Sequence, residues 1–260
     1  MATVTQHAPG TFCWPELAST DAKAALAFYT SLFGWTVNEF PMETGSYYML
    51  QLGGRDAGAA YELSPAMREQ KVPPHWGAYI AVVSADESAK KAEAAGGKVL
   101  QAPFDVMDHG RMAVIADPAG ASFCLWQGNK NNGIGAVGEP GTLGWVQLNT
   151  RDTAAAKAFY TAAIGWTFRD DPMGPDMSYT TWLKADGPAG GMMPMTPDTP
   201  AEAPAHWLSY FTVANVDESY AKAVKLGATS YVAPNDVPGG PRFAVLGDPQ
   251  GAAFGIMSDM

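Results

Sequence analysis

Cysteine is nearly absent from this 260-residue chain: only Cys13 and Cys124 occur, and neither has a C-x-x-C partner. That excludes a disulfide framework and a cysteine-based structural zinc site, and it fits a reducing cytoplasm. Basic residues are also scarce, with 16 Lys and Arg against 26 Asp and Glu, a formal charge of −10. Such a balance argues against nucleic acid, which demands a basic face. It supports solubility and, as a sharper reading, attraction of a cationic ligand. No apolar run approaches the ~20 residues that span a bilayer, so no membrane partner is expected. The opening MATVTQHAPG has neither a basic region nor an apolar core, so no signal peptide is expected.

What the chain does have is a repeat. TFCWPELASTDAKAALAFYTSLFGW at Thr11–Trp35 returns as TLGWVQLNTRDTAAAKAFYTAAIGW at Thr142–Trp166. Asp21 pairs with Asp152, so the offset is 152 − 21 = 131. It persists through His75-Trp76 and His206-Trp207, Arg111 and Arg242, and Asp117-Pro118 and Asp248-Pro249. A period this long marks duplication of a whole domain. The expected division is 1–130, a linker at 131–140 within the Gly- and Asn-rich stretch Asn129–Gly141, and 141–260.

Each half divides again. Thr11–Ala18 reads as a strand, Thr20-Asp21 as a helix cap, Ala22–Phe33 as a helix ended by Gly34, and three short strands follow. A second strand near Ala78–Val83, a helix over Glu87–Ala95 and three more strands complete the half, with a turn at Asp117–Gly120. The predicted class is α+β: two tandem domains, each of paired βαβββ units.

The early strand, the FY and GW positions and the closing D-P-x-G-x-x-F together resemble the vicinal oxygen chelate superfamily. That group includes glyoxalase I, bleomycin-resistance proteins and extradiol dioxygenases. The resemblance covers both halves. It implies a cup-shaped mixed sheet around a ligand cavity, with helices outside. It also implies a divalent metal held by His, Gln or Glu on the first and last strands. The corresponding positions here are Trp14, Tyr79 and Cys124 in one half, and Trp145, Tyr210 and Gly255 in the other. Indole offers only a donor, glycine nothing, and a neutral phenol is a poor ligand. No cofactor is therefore expected. A divalent metal stays open only through Glu16 with His75, or their repeat mates Gln147 and His206, each histidine placed just ahead of a strand.

Strand alternation would put Phe12, Trp14 and Glu16 on one cup face, and Leu143, Trp145, Gln147 and Asn149 on the other. Expected ligand-binding residues are Trp14, Glu16, Tyr48 (or its neighbour Tyr47), Tyr79, Arg111 and Trp126, then Trp145, Gln147, Asn149, Tyr179, Tyr210 and Arg242. Trp182 is a further candidate wall. Aromatic walls with few polar groups suit a planar or cationic organic ligand. Arg111 and Arg242 either anchor a ligand or bridge to Asp117/Asp248 or Asp105/Asp236. Cys124 has no neighbouring base and reads as an inert thiol. Met192–Met195 reads as core filler or an adaptable wall.

Three functions follow: a metal-independent binder of a small organic molecule, resembling the bleomycin-resistance branch; a glyoxalase-like lyase or isomerase, or an oxygenase, with Glu16, His75 and His206 as candidate catalytic residues; and an interaction protein. The expected partner is a small molecule, and the expected state is a monomer or homodimer.

Overall fold

A computed structural model describes residues 4–43, 45–173, 177–196, 199–201 and 203–258. In the first half, β1 (Phe12–Ser19), α1 (Ala22–Phe33), β2 (Thr36–Pro41), β3 (Ser46–Leu52) and β4 (Arg55–Glu62) form one βαβββ unit. A short helix the sequence did not announce, α2 (Pro65–Glu69), has Ser64 as its cap. Then come β5 (His75–Ala81), α3 (Ala85–Ala94), β6 (Lys98–Val106), β7 (Gly110–Ala116) and β8 (Ser122–Gly128). The second half repeats this with β9 (Leu143–Thr150), α4 (Thr153–Ile164), β10 (Thr167–Pro172), β11 (Ser178–Lys184) and β12 (Gly187–Pro194). β13 (His206–Thr212), α5 (Val216–Lys225), β14 (Thr229–Asp236), β15 (Arg242–Gly247) and β16 (Ala253–Met257) complete it.

Local chemistry sets the helix limits. Asp21 and Asp152 accept the amides of Ala24 and Ala155, and Gly34 and Gly165 close the same helices in the left-handed region. Ser84 caps α3, accepting the amide of Glu87. His75 and His206 open their strands instead of preceding them.

Each half is an eight-stranded mixed sheet, in the orders β2-β3-β4-β1-β5-β8-β7-β6 and β10-β11-β12-β9-β13-β16-β15-β14. The two units of a half meet where β1 runs antiparallel to β5, and β9 to β13. The helices lie outside the cups, as the resemblance implies, and α1 and α4 lie between the two sheets. α1 packs on Leu17, Leu50 and Ala60 of its own sheet and on Phe211, Leu246, Phe254 and Ile256 of the other. The second core joins Phe159 and Tyr160 of α4 to Ile80, Ile115, Phe123 and Leu125 of the first sheet. Alanines at 22, 25 and 156 keep the helices thin enough for two sheets to approach them.

The repeated motifs supply the join. Trp166 Nε1 donates to Gly10 O at 3.0 Å, and Trp35 Nε1 to Gly141 O at 2.7 Å. Each tryptophan thus holds the loop entering the opposite half. Tyr160 donates across the domains to Asp117 at 3.1 Å, and Trp207 donates to Tyr160. Tyr29 sits beside Asp248 in the equivalent position. The FY, GW and DP positions are therefore interdomain fastenings. Asp117 is occupied by Tyr160 and by the turn amides of Ala119 and Ala121, not by Arg111.

Candidate functional site

The positions that the resemblance assigns to a metal form one row across three central strands. Trp14 pairs with Tyr79, and Tyr79 with Cys124. The second sheet aligns Trp145, Tyr210 and Gly255 in the same way. These side chains do not fit a divalent ion. Burial drives the Cys124 thiol and the Tyr79 phenol far up, so neither offers an anion at neutral pH. Among the described residues, no three His, Cys, Asp or Glu side chains gather as a metal set.

One step along β1 from Trp14, on the same face, stands Glu16. It is half-buried, opposite Ala59 of β4 and Gly77 of β5. Tyr47 donates to Glu16 Oε1 at 2.6 Å from β3, and Tyr79 donates to Oε2 at 2.5 Å from β5. Burial pushes the Glu16 carboxyl above the usual range, and the two phenol bonds offset part of that. Tyr61, paired with Tyr47 across β3 and β4, completes the wall. Glu16 contributes to raising the Tyr61 phenol, though burial contributes more. Trp126 packs on Tyr79 with ring centroids 6.3 Å apart.

The connection between the halves gives the first cup a floor. Ile134 N donates to Cys13 O, Gly135 and Ala136 donate to Asp56 O, and Trp126 Nε1 donates to Asn131 O. The half-buried pair Arg55–Glu139, 2.6 Å apart, fastens its far end. His7 meets Ile134 O from the amino-terminal segment. Shallow hollows lie beneath this floor, by His7 and Asn132, and at the sheet edge, by Asp108 and Asn129; neither reaches Glu16.

The second cup is neutral. Gln147 stands where Glu16 does, donates to Asn149 at 2.9 Å, and Asn149 lies 3.3 Å from His206 Nε2. Trp145 Nε1 donates to Tyr179 OH at 2.7 Å. Tyr210 folds over Gly255, where a Cβ would lie 2.0 Å from its ring, and Tyr179 covers Gly191 as closely.

Several expected site residues go elsewhere. Tyr48 lies in the helical core at 6 % exposure, and its neighbour Tyr47 takes the cup position. Strand alternation allows only one of the pair to face the cup. Trp182 and Met192 are fully buried in the interdomain core. Phe12 also leaves the cup, because the β1 register shifts between Phe12 and Trp14; it packs on Trp166 and Trp207. Arg111 is held by Asp86 and Asp105, and Arg242 by Asp217 and Asp236, so neither guanidinium is free to anchor a ligand. The Asp105 and Asp236 bridges agree with one of the sequence alternatives. The Asp86 and Asp217 bridges had no sequence signal beyond the helix start. His75 turns its Nδ1 to Pro73 O, as His206 does to Pro204 O, and makes no bond to Glu16.

Sequence reading missed Tyr61 and preferred the wrong tyrosine on β3. The duplication carried the signal. Val37 pairs with Leu50 and Phe168 with Trp182, so the offset changes from 168 − 37 = 131 to 182 − 50 = 132. With that one-residue insertion, Tyr179 is the mate of Tyr47.

The glyoxalase/bleomycin resistance protein/dioxygenase superfamily profile matches residues 11–125 and again 142–256. The chain belongs to this superfamily, as a tandem member. A Mycobacterium tuberculosis protein, CFP32, whose name calls it a glyoxylase, is 39% identical over 254 residues, covering 97% of this chain and 96% of its own. The anthracycline biosynthesis protein DnrV of Streptomyces peucetius is 36% identical over 265 residues, covering 98% and 95%. The fold is shared with the Mn(II)-bound glyoxalase of Novosphingobium aromaticivorans, at a TM-score of 0.64, 16% identity, and 100% and 83% coverage. A trihydroxybiphenyl dioxygenase of Sphingomonas wittichii gives 0.67 at 14% identity, covering 96% and 91%. No helix among the described residues is long and apolar enough to cross a membrane.

Proposed function

We propose that this protein binds a small organic molecule in its first cup, without a metal, and releases it unchanged. The observation that carries this reading is Glu16, with both oxygens held by Tyr47 and Tyr79 beside a row of Trp14, Tyr79 and Cys124. A carboxylate and phenols among aromatic walls provide polar fixation and apolar contact, the usual make-up of a ligand site. The similarity to a protein named for anthracycline biosynthesis supports an aromatic, multi-ring ligand. Four βαβββ units lie in one chain, so a monomer can complete both cups, and a cytoplasmic setting agrees with two free thiols.

The test is native mass spectrometry of protein purified without chelator, followed by titration with an anthracycline and analysis of the recovered ligand. Metal-free protein that quenches its tryptophan fluorescence on binding and returns intact ligand is the expected result. Stoichiometric manganese, zinc, nickel or iron would overturn the proposal.

The raised, half-buried Glu16 carboxyl favours a second reading, a general acid–base enzyme of glyoxalase type. Turnover of a 2-oxoaldehyde hemithioacetal that disappears in Glu16→Gln would establish it over simple binding.

A further inference from the structure

We infer that the ligand of the first cup carries an ammonium head group, and that Glu16 receives it. This rests on the reading of that cup as the binding site and names the chemistry it selects. Glu16 is a recessed carboxylate with two phenol donors and no basic partner among the described residues. Three arginines of the same half are committed elsewhere: Arg111 to Asp86 and Asp105, Arg55 to Glu139, and Arg68 to Glu62. A carboxylate withdrawn from water without a counter-cation is costly, so its charge is best satisfied by a cation that arrives with the ligand.

The walls point the same way. Tyr47 and Tyr79 bond the carboxylate, Tyr61 lies near it, and Trp14 stands next to it along the same face of β1, with Trp126 one layer further off against Tyr79; aromatic rings attract ammonium and quaternary ammonium groups. The titratable groups facing Glu16 are Tyr47 on β3, Tyr61 on β4, Tyr79 on β5 and Cys124 on β8, with His75 at the rim of β5. Burial raises the phenols and the thiol, so at neutral pH they add no charge. An anionic ligand would meet Glu16 as a like charge. A neutral one would leave the carboxylate with its two phenol donors and no counter-charge. The second cup offers no such receptor, because its mate is Gln147, engaged with Asn149.

The experiment uses two probes of one shape on the intact protein: choline and its uncharged carbon isostere, 3,3-dimethylbutan-1-ol. Binding is followed near pH 8 by tryptophan fluorescence and by the ring resonances of Tyr47 and Tyr79. The expected result is a preference for choline of about tenfold, lost in Glu16→Gln. Equal affinities, or a preference that survives Glu16→Gln in folded protein, would overturn the inference while leaving a metal-free binding cup intact. Failure of choline to bind at any accessible concentration would also overturn it. Should Glu16→Gln fail to fold, the isostere pair on the unaltered protein decides the question. The metal content of the purified protein tests the broader reading separately.

Discussion

The two cups share a fold and differ at their centres. In the first, Glu16 is an ionisable carboxyl supported by two phenols, above a floor supplied by the interdomain connection. In the second, Gln147 and Asn149 form a neutral amide chain, and Tyr210 and Tyr179 lie flat on glycines. The tyrosine that reaches Glu16 in one half, Tyr79, has a mate that instead covers Gly255. One polar substitution and one missing side chain therefore separate a cup with a receptor from a cup filled by its own aromatics. Duplication preserved the interdomain fastenings, which both halves need, and left the cup floors free to diverge.

The comparison can be broken at Gly255. Gly255→Cys makes the second cup copy the first, but places a Cβ against the Tyr210 ring; overpacking should cost about 3 kcal/mol, read as a lower midpoint in urea. A neutral result would show that Tyr210 moves freely and that the cups are interchangeable. Gln147→Glu should cost about 2 kcal/mol near pH 8 and less near pH 4, because the new carboxylate is buried with no prepared pair of phenol donors. Equal stability of parent and variant at both pH values would contradict the neutral character assigned to this cup. Trp126→Phe removes the bond to Asn131 O and should cost about 1 kcal/mol, with faster amide exchange along residues 129–136. Unchanged exchange there would deny the connection its role as a floor.

The smallest expected shift is the only upward one. The Glu16 carboxyl is raised in the folded protein, so protonation favours folding. Its contribution is complete below the unfolded carboxyl range and is lost as pH rises through the folded value. Glu16→Gln does not titrate. It should therefore raise the urea midpoint near pH 8 relative to the parent and give no gain near pH 4. A stabilised variant that has lost its choline preference would mark Glu16 as retained for function against stability. A lower midpoint near pH 8 would show that the carboxylate is better paired than its surroundings indicate.

Much of the architecture was legible because it depends on local rules. Asp21 and Gly34 mark the first helix by capping chemistry, and the return of the same signals 131 residues later marks the second. The replacement of the expected donors by Trp14, Tyr79 and Cys124 was also legible, since the resemblance to the superfamily names the positions and the residues there are read directly. The cup wall was harder. Tyr47 and Tyr48 are adjacent, and a choice between them depends on strand phase, which a one-residue insertion concealed. Trp182 and Tyr48 are as aromatic as Trp145 and Tyr47; only the sheet face distinguishes core from cavity.

Sequence alone determined the duplication, the four βαβββ units and the capped helices, because these follow from spacing and side-chain chemistry along the chain; the lack of the usual metal donors came from the resemblance to the superfamily. Tertiary structure decided that the helices lie between the two sheets, that the FY, GW and DP motifs fasten one half to the other, and that Glu16 meets Tyr47 and Tyr79. Those contacts join residues from 31 positions apart, for Glu16 and Tyr47, to 248 − 29 = 219, for Tyr29 and Asp248. Such pairings are set by strand register and sheet packing, which no local pattern of residues encodes.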